Sequence, residues 1–389
     1  MAFLLRRAVT RAAAAAVAAT LSAGLAACGN GDGNGDDADG LKAGRLVGLL
    51  LPEDGTRQER SVRPAMEARV AALCEDCRFR YGNAAGDAEL QKQQFDDLLT
   101  RGVDVIVLGA VDPDGTASWV TEAAEQGVPV VAHDRPARGD IDAFITYDSH
   151  RVGQVQGEAM LAVLGDEAEG APLVMMNGPA ADPDAAAVKA GALDVLTPVV
   201  DLVLDRDVER RDPAVASARM TEAVRELGPD GFAGVHAADD RIAAGVLSAL
   251  RAEGVPGVPV GGQGAGLAAL RRIVTGEQAF TVHTPPARQA EITAEIAVRL
   301  LDGEDFADLA ADRITTPTTE DVPSALLEPV AVTLGTLEEA VLADGTYTLG
   351  ELCGGAYADA CAEAGIRPPP PAGGPSARPQ GVSGGSAGT

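Results

Sequence analysis

The chain has 389 residues, with 31 Lys and Arg against 58 Asp and Glu and a formal net charge of -27. That balance excludes a surface that tracks nucleic-acid phosphates, which needs clustered cations, and aromatic residues at 3 % leave no stacking platform for bases. The length allows two domains.

At the N-terminus Arg6, Arg7 and Arg11 precede an Ala-rich apolar run over 12–27. A basic start and a short apolar run are the marks of a signal peptide, and the run is too short for a comfortable membrane span. It ends in L-A-A-C at 25–28 and passes into a Gly/Asn/Asp-rich tract over 29–40. Small residues before a Cys and a polar tether after it resemble a bacterial lipobox. That resemblance implies a signal peptide over 1–27, a lipid on Cys28 and a flexible tether over 28–43. An ordinary cleaved secretory signal is the alternative. Asp36, Asp37 and Asp39 in the tether read as solvated charge.

Next come Cys74 and Cys77, matched near the C-terminus by Cys353 and Cys361. In an exported chain two close pairs suggest disulfides, Cys74–Cys77 and Cys353–Cys361. Zinc is the other reading of C-x-x-C, but it needs two more ligands.

From residue 46 short apolar runs alternate with longer stretches of helical period. Strands are expected at 46–51, 79–83, 103–109, 129–133, 144–147, 173–177, 202–205, 232–237, 259–262, 280–283 and 330–334. Helices are expected at 88–100, 115–126, 152–164, 185–196, 214–227, 241–252, 266–274 and 287–301. Glycine follows many of them, at 102, 127, 165, 228, 254 and 303, as a C-cap in the left-handed region. The alternation predicts an α/β chain with parallel sheets, and there are too many strands for one compact sheet. Two Rossmann-like lobes result. The Pro/Gly/Ser-rich segment 367–389 reads as a disordered tail.

One strand ends oddly. In V-V-A-H-D-R-P-A, 130–137, an apolar run delivers His133, Asp134 and Arg135 at its carboxyl end. Open parallel sheets bind ligands beyond the carboxyl ends of their strands. The placement recurs at Asn177 with Asp182 and Asp184, at Asp239 and Asp240, at Gln263 and at His283. A single polar strand end is ordinarily a cap or turn, and Asp239 and Asp240 also suit the N-cap of the helix at 241. The repetition points to a shared cleft.

These motifs, in this order and spacing, resemble the bacterial type I periplasmic sugar-binding proteins of ABC transporters, specifically their xylose-binding-like branch. The landmarks are T-R-Q-E at 56–59, R-G-V-D-V-I-V-L at 101–108, A-H-D-R at 132–135 and I-T-Y-D-S-H-R-V-G at 145–153. They continue with N-G-P-A-A-D-P at 177–183, A-A-D-D at 237–240, G-G-Q at 261–263, F-T-V-H-T-P at 280–285 and D-V-P-S-A-L-L-E-P-V at 321–330.

The resemblance implies two lobes joined by three hinge strands, crossing near Asp148, His283 and Leu309. The N-terminal lobe is then 44–148 plus 283–308, and the C-terminal lobe and extension 149–282 plus 309–366. It implies ligand contacts from Arg57, Asp134, Arg135, Asn177, Asp184, Asp239, Asp240, Gln263 and His283. Sugar hydroxyls donate and accept, so carboxylates, amides and forked Arg donors suit them. It also implies a monomer held by its lipid at the outer face of the cell membrane, an ABC permease as partner, and neither cofactor nor metal.

Departures accompany the likeness. Gln58 and Arg211 stand at or near places where the family tends to have aromatic rings. Gly264 replaces an Asp, His283 a Tyr and Thr284 a Lys, while Asp184 and Asp239 replace Asn. Fewer rings disfavour a xylose assignment and leave another sugar, a polyol or a ligand with a positive group in play.

Enzyme readings find little. No H-E-x-x-H or P-loop occurs, G-x-S-x-G matches only within the Pro/Gly/Ser-rich tail at 381–385 and 384–388, and G-G-Q-G-A-G at 261–266 reads as a tight turn into a helix. The His residues number 4 and are scattered, at His133, His150, His236 and His283. The expected function is therefore a tethered solute-binding lipoprotein of an ABC importer. A sensory receptor of the same fold is the alternative.

Overall fold

The computed structural model describes residues 44–53 and 58–366. The expected signal peptide, Cys28 with its tether, Arg57 and the 367–389 tail lie outside the described residues.

The first part of the chain runs β1 (Leu46–Leu51), α1 (Arg63–Leu73), β2 (Arg78–Asn83), α2 (Ala88–Thr100), β3 (Val105–Leu108), α3 (Ala117–Glu125), β4 (Val130–His133) and β5 (Ala143–Tyr147). The second part is α4 (Ser149–Leu164), β6 (Pro172–Asn177), α5 (Pro183–Leu196), β7 (Asp201–Asp207), α6 (Pro213–Leu227), β8 (Gly234–Ala237), α7 (Asp240–Ala252), α8 (Leu267–Val274) and β9 (Thr281–His283). The chain then returns through α9 (Pro286–Asp302), β10 (Asp312–Ile314) and β11 (Val322–Leu327). It finishes with β12 (Val330–Val332), α10 (Leu349–Cys353) and α11 (Ala358–Glu363). Glycines 102, 127, 165, 228, 254 and 303 all have positive φ, as expected of residues that close helices.

The first lobe holds a seven-stranded sheet in the order β10-β11-β5-β4-β3-β1-β2, parallel except for β10. Every residue of β1, β3 and β4 is buried, which is what continuous apolar strands require when helices cover both faces. Met66, Val70, Ile292 and Ile296 from α1 and α9 pack against Val47, Leu49 and Val105 on one face. Phe95, Leu98 and Trp119 from α2 and α3 pack against Leu50, Ile106 and Leu108 on the other.

Five elements were not expected, the short helices α10 and α11 of the C-terminal extension among them. Helix α1 buries only Met66 and Val70, so its apolar stripe is one residue wide. Strand β10 lies at the sheet edge, and its first two residues, Asp312 and Arg313, are charged and exposed. Strand β11 contains Pro323, which ordinarily argues against a sheet interior. Here its pairing with β5 begins one residue later, at Ser324 opposite Phe144, so the missing N–H falls outside that ladder.

This pairing corrects the domain boundary. Residues 312–327 belong to the first sheet, so the third crossing lies at Glu328 and Pro329, after β11, not near Leu309. The other crossings lie at Asp148 and at Thr284–Pro285. Side chains tie the three together. Tyr147 Oη donates to the Pro285 carbonyl at 2.8 Å, and Arg151 Nε donates to Glu328 Oε2 at 2.9 Å.

The second lobe is built on the parallel order β7-β6-β8. The segment 259–262, expected as a strand, makes only a bridge from Val260 to Val235 and backbone bonds to the β9 side, including Val282 N to Gly262 O at 3.1 Å. It thereby joins β8 to the antiparallel pair β9–β12. Helices α6 and α7 cover one face, and α4 and α5 the other.

Helices α4 and α5 meet backbone to backbone. A Cβ on Gly153 would stand 1.9 Å from the Val188 carbonyl oxygen, and one on Gly191 would stand 1.9 Å from that of His150. Neither contact can be relieved by turning a side chain. Gly191→Ala is therefore expected to lose about 1–2 kcal/mol in urea denaturation, although helix propensity alone predicts a gain. A more stable variant would show that the helices do not touch here.

Both cysteine pairs are bonded, with Cα atoms 5.3 Å apart for Cys74–Cys77 and 5.8 Å apart for Cys353–Cys361. The second closes an extension that packs Leu337, Val341, Leu352 and Ile366 against Leu270, Ile273 and Val274 of α8. Glu351 accepts from the Thr348 N–H and hydroxyl and meets Arg60 of the first lobe at 2.5 Å, which holds its carboxyl down at about 2. Among the described residues no helix is long and apolar enough to cross a membrane.

Candidate functional site

A cavity of about 650 Å³ opens between the lobes, at the carboxyl ends of their strands. Asp134, Arg135, Phe144 and Tyr147 wall it from the first lobe. Ser149, Asp182, Asp184, Arg211 and Gln263 wall it from the second, and Thr284 lies at the hinge.

The end of β4 explains the odd stretch. Asp134 takes a left-handed φ of 66°, which Asp tolerates better than most residues. Its N–H donates to Ile145 O at 2.9 Å, and its carbonyl accepts from Thr146 Oγ1 at 3.1 Å. Its Oδ1 accepts from Gln289 Nε2 at 3.3 Å. The turn breaks the strand's alternation and lets consecutive side chains reach the same cavity. Arg135 Nη2 donates to Glu53 Oε1 at 3.2 Å, and both side chains stay substantially exposed. His133 lies buried beneath, with Nδ1 2.9 Å from Thr293 Oγ1.

The second wall is made of helix starts. Asp148 caps α4 through His150 N at 2.9 Å, and Asp182 caps α5 through Asp184 N at 3.0 Å. Asp239 caps α7 through Arg241 N and Ile242 N, at 2.8 and 2.9 Å. The positive ends of the helix dipoles favour these carboxylates. Asp184, in the first turn of α5, accepts from Ser149 Oγ at 3.3 Å. Arg211 links two caps: Nη2 donates to Asp182 Oδ2 at 2.8 Å, and Nε lies 3.6 Å from Asp239 Oδ2.

Burial pushes the Asp239 carboxyl up, against the pull of the Ile242 N–H and the Arg211 charge. Asp239→Ala is expected to cost about 1–2 kcal/mol by loss of the cap, whereas Asp239→Asn keeps most of it. Equal stability of both variants, measured by urea midpoint, would remove the cap from the account.

Of the expected contact residues, the structure brings Asp134, Arg135, Asp184 and Gln263 together around the cavity. Asp239 lies behind Arg211. Asn177 is buried, and its amide donates to Asp205 Oδ1 at 2.5 Å and to Arg206 O at 3.3 Å. Asp240 faces inward and accepts from Gln278 Nε2 and Thr281 Oγ1, both at 2.9 Å, and burial raises its pKa to about 6. His283 is buried, with Nε2 2.9 Å from Asp344 Oδ2 in the extension. Arg57 lies outside the described residues.

Arg211, Tyr147 and Ser149 were not anticipated as lining residues. Ser149 and Tyr147 flank the Asp148 crossing, so the I-T-Y-D-S motif carried that signal. Among the described residues one group could draw a metal, Cys74 with Asp76 and Cys77, and both of its sulfurs are bonded to each other.

A family model of the periplasmic binding protein domain matches residues 47–305. The chain is 33% identical over 277 residues to the D-xylose-binding periplasmic protein of Escherichia coli (strain K12), covering 69% of this chain and 82% of that one. It is 28% identical over 300 residues to the multiple sugar-binding periplasmic receptor ChvE of Rhizobium radiobacter, covering 70% and 82%. Its fold is similar to that of an ABC transporter solute binding protein from Clostridium phytofermentans with bound beta-D-glucose, at a TM-score of 0.61 and 22% identity, covering 79% and 100%. With the fold, the interlobe cavity and this likeness in agreement, the chain belongs to the family of type I periplasmic sugar-binding proteins.

Proposed function

We propose that the chain is an extracytoplasmic solute-binding lipoprotein of an ABC importer, holding a monosaccharide or related polyhydroxylated molecule between its lobes. The observation that carries this reading is the pairing of Asp134 and Arg135 on one wall with Asp184 and Gln263 on the other, around one cavity. Such walls offer hydroxyl groups both donors and acceptors. Relatives named for D-xylose and for multiple sugars support the ligand class.

The work is binding, not chemistry. Closure about Asp148, Thr284–Pro285 and Glu328–Pro329 excludes water, which strengthens each hydrogen bond to a neutral ligand. Asn177, Asp239, Asp240 and His283 act behind the surface, holding the helix starts and the hinge in place. A lipid on Cys28 keeps the protein at the outer face of the membrane, where a permease meets the closed lobes.

The test is a thermal-shift screen of the chain freed of its leader against pentoses, hexoses and polyols. A ligand at 100 times its Kd adds about 2.7 kcal/mol, or roughly 4–8 °C for a protein of this size. A folded sample that responds to no member of the panel would contradict the proposal.

A further inference from the structure

The two walls of the cavity differ in kind. Phe144 and Tyr147, 6% and 8% exposed, are the rings that line it from the first lobe. The second lobe gives none. Between residues 149 and 282 the aromatic residues are Phe232 and Phe280, and both are buried in the core. The second-lobe lining is mainly polar, with Arg211, Ser149, Asp182, Asp184 and Gln263 beside the aliphatic Val152 and Val188.

Arg211 holds its place by an uncommon backbone. It has a φ of 53° and follows Arg210 at 54°. Consecutive non-glycine residues in the left-handed region persist where surrounding structure over-determines them, and such outliers gather at ligand sites. The bracing groups are Asp182 Oδ2 at 2.8 Å and Asp239 Oδ2 at 3.6 Å. A guanidinium carries five N–H donors in a rigid fork, so the Asp182 contact leaves donors to present to the cavity.

We propose that Arg211 sets the ligand class, and that this cavity favours an acyclic polyol over the pyranose ring of the parent sugar. The inference rests on the solute-binding reading above and narrows it. A pyranose has two faces lined by C–H groups, and a closing cleft presses one against each lobe. One face suits Phe144 and Tyr147. The other would lie mainly on Arg211, Asp182 and Asp184, with only Val152 and Val188 to meet its C–H groups, and would leave those donors and acceptors unmatched. Each buried group left so is worth roughly 5- to 150-fold in affinity. An extended alditol carries a hydroxyl on every carbon and turns hydroxyls to both walls.

Calorimetric titration of the chain freed of its leader tests this with xylitol, D-arabinitol and D-sorbitol, each against its parent aldose, D-xylose, D-arabinose and D-glucose. At least one alditol is expected to bind about 10-fold more tightly than its aldose. Arg211→Lys, which keeps charge but loses the fork, is expected to weaken that alditol about 10-fold and to narrow its advantage over the aldose. Aldoses that bind as tightly as their alditols would overturn the inference and leave the solute-binding reading intact. An Arg211→Lys variant with wild-type alditol affinity would remove Arg211 from the site. Failure of all six to bind the folded wild-type chain would sink the inference and count against the solute-binding reading as well. Should the variant not fold, the alditol-to-aldose ratio of the wild type still decides the ligand class.

Discussion

Arg135→Ala is expected to weaken ligand binding about 30- to 1,000-fold while moving the melting temperature by no more than about 3 °C. The two effects separate because Arg135 does little for the empty fold. Its contact with Glu53 joins side chains that are 40% and 53% exposed, and such pairs contribute about 0–1 kcal/mol. With ligand bound and water excluded, the same guanidinium makes charge-assisted hydrogen bonds worth about 1.5–3 kcal/mol each. Calorimetric titration and a melting curve on the same sample read both numbers. Unchanged affinity would move the site away from the end of β4.

The second large effect is in pH. His236 lies on β8 with no hydrogen-bond partner for either ring nitrogen, and burial lowers its pKa from 6.5 to about 4. Unfolded, it takes up a proton below pH 6.5; folded, it refuses one until about pH 4. Its contribution to stability is therefore complete above pH 6.5 and is lost as pH falls towards 4, by roughly 3 kcal/mol at most. Asp240 has the opposite sign. Burial raises its pKa from 3.8 to about 6, so its contribution is complete below 3.8 and is lost as pH rises through 6. Asp142 and Asp239 are raised by burial too and act in the same sense. The depressed carboxyls Asp97, Glu295, Asp308 and Glu351 change stability only at lower pH.

Between pH 4.5 and 6.5 the histidine thus offsets the buried acids, and the wild-type urea midpoint should vary little. His236→Leu removes one side of that balance. Its stability is expected to rise by about 1–3 kcal/mol as pH is lowered from 7 to 5, relative to wild type over the same interval. Parallel pH profiles for the two proteins would show that His236 does not titrate against the fold.

Most of the architecture was legible in the sequence, because the signals were local. Strand β1 is six apolar residues in a row, and α2 spans 88–100 as its period and the Asp87 cap dictate. The failures were tertiary. Pro323 hid β11, whose place in the sheet depends on where its pairing with β5 begins. The third hinge crossing was misplaced for the same reason. The site divided likewise. Asp134, Arg135, Asp184 and Gln263 could be found because strand ends in parallel sheets face the cleft. The inward turn of Asn177 towards Asp205, and of His283 towards Asp344, follows from neighbours 28 and 61 residues away. Arg211 was visible only as a departure from the family pattern. Its brace between Asp182 and Asp239 exists only in the folded second lobe.

The most direct test of the central claim is a crystal structure of the chain with the ligand that gives the largest thermal shift. The lobes are expected to be closed on that ligand, with its hydroxyl groups about 3 Å from the Asp134 carboxylate and the Arg135 guanidinium and the other side against Asp184 and Gln263. A ligand bound elsewhere, or one that leaves Asp134 and Arg135 without contact, would contradict it.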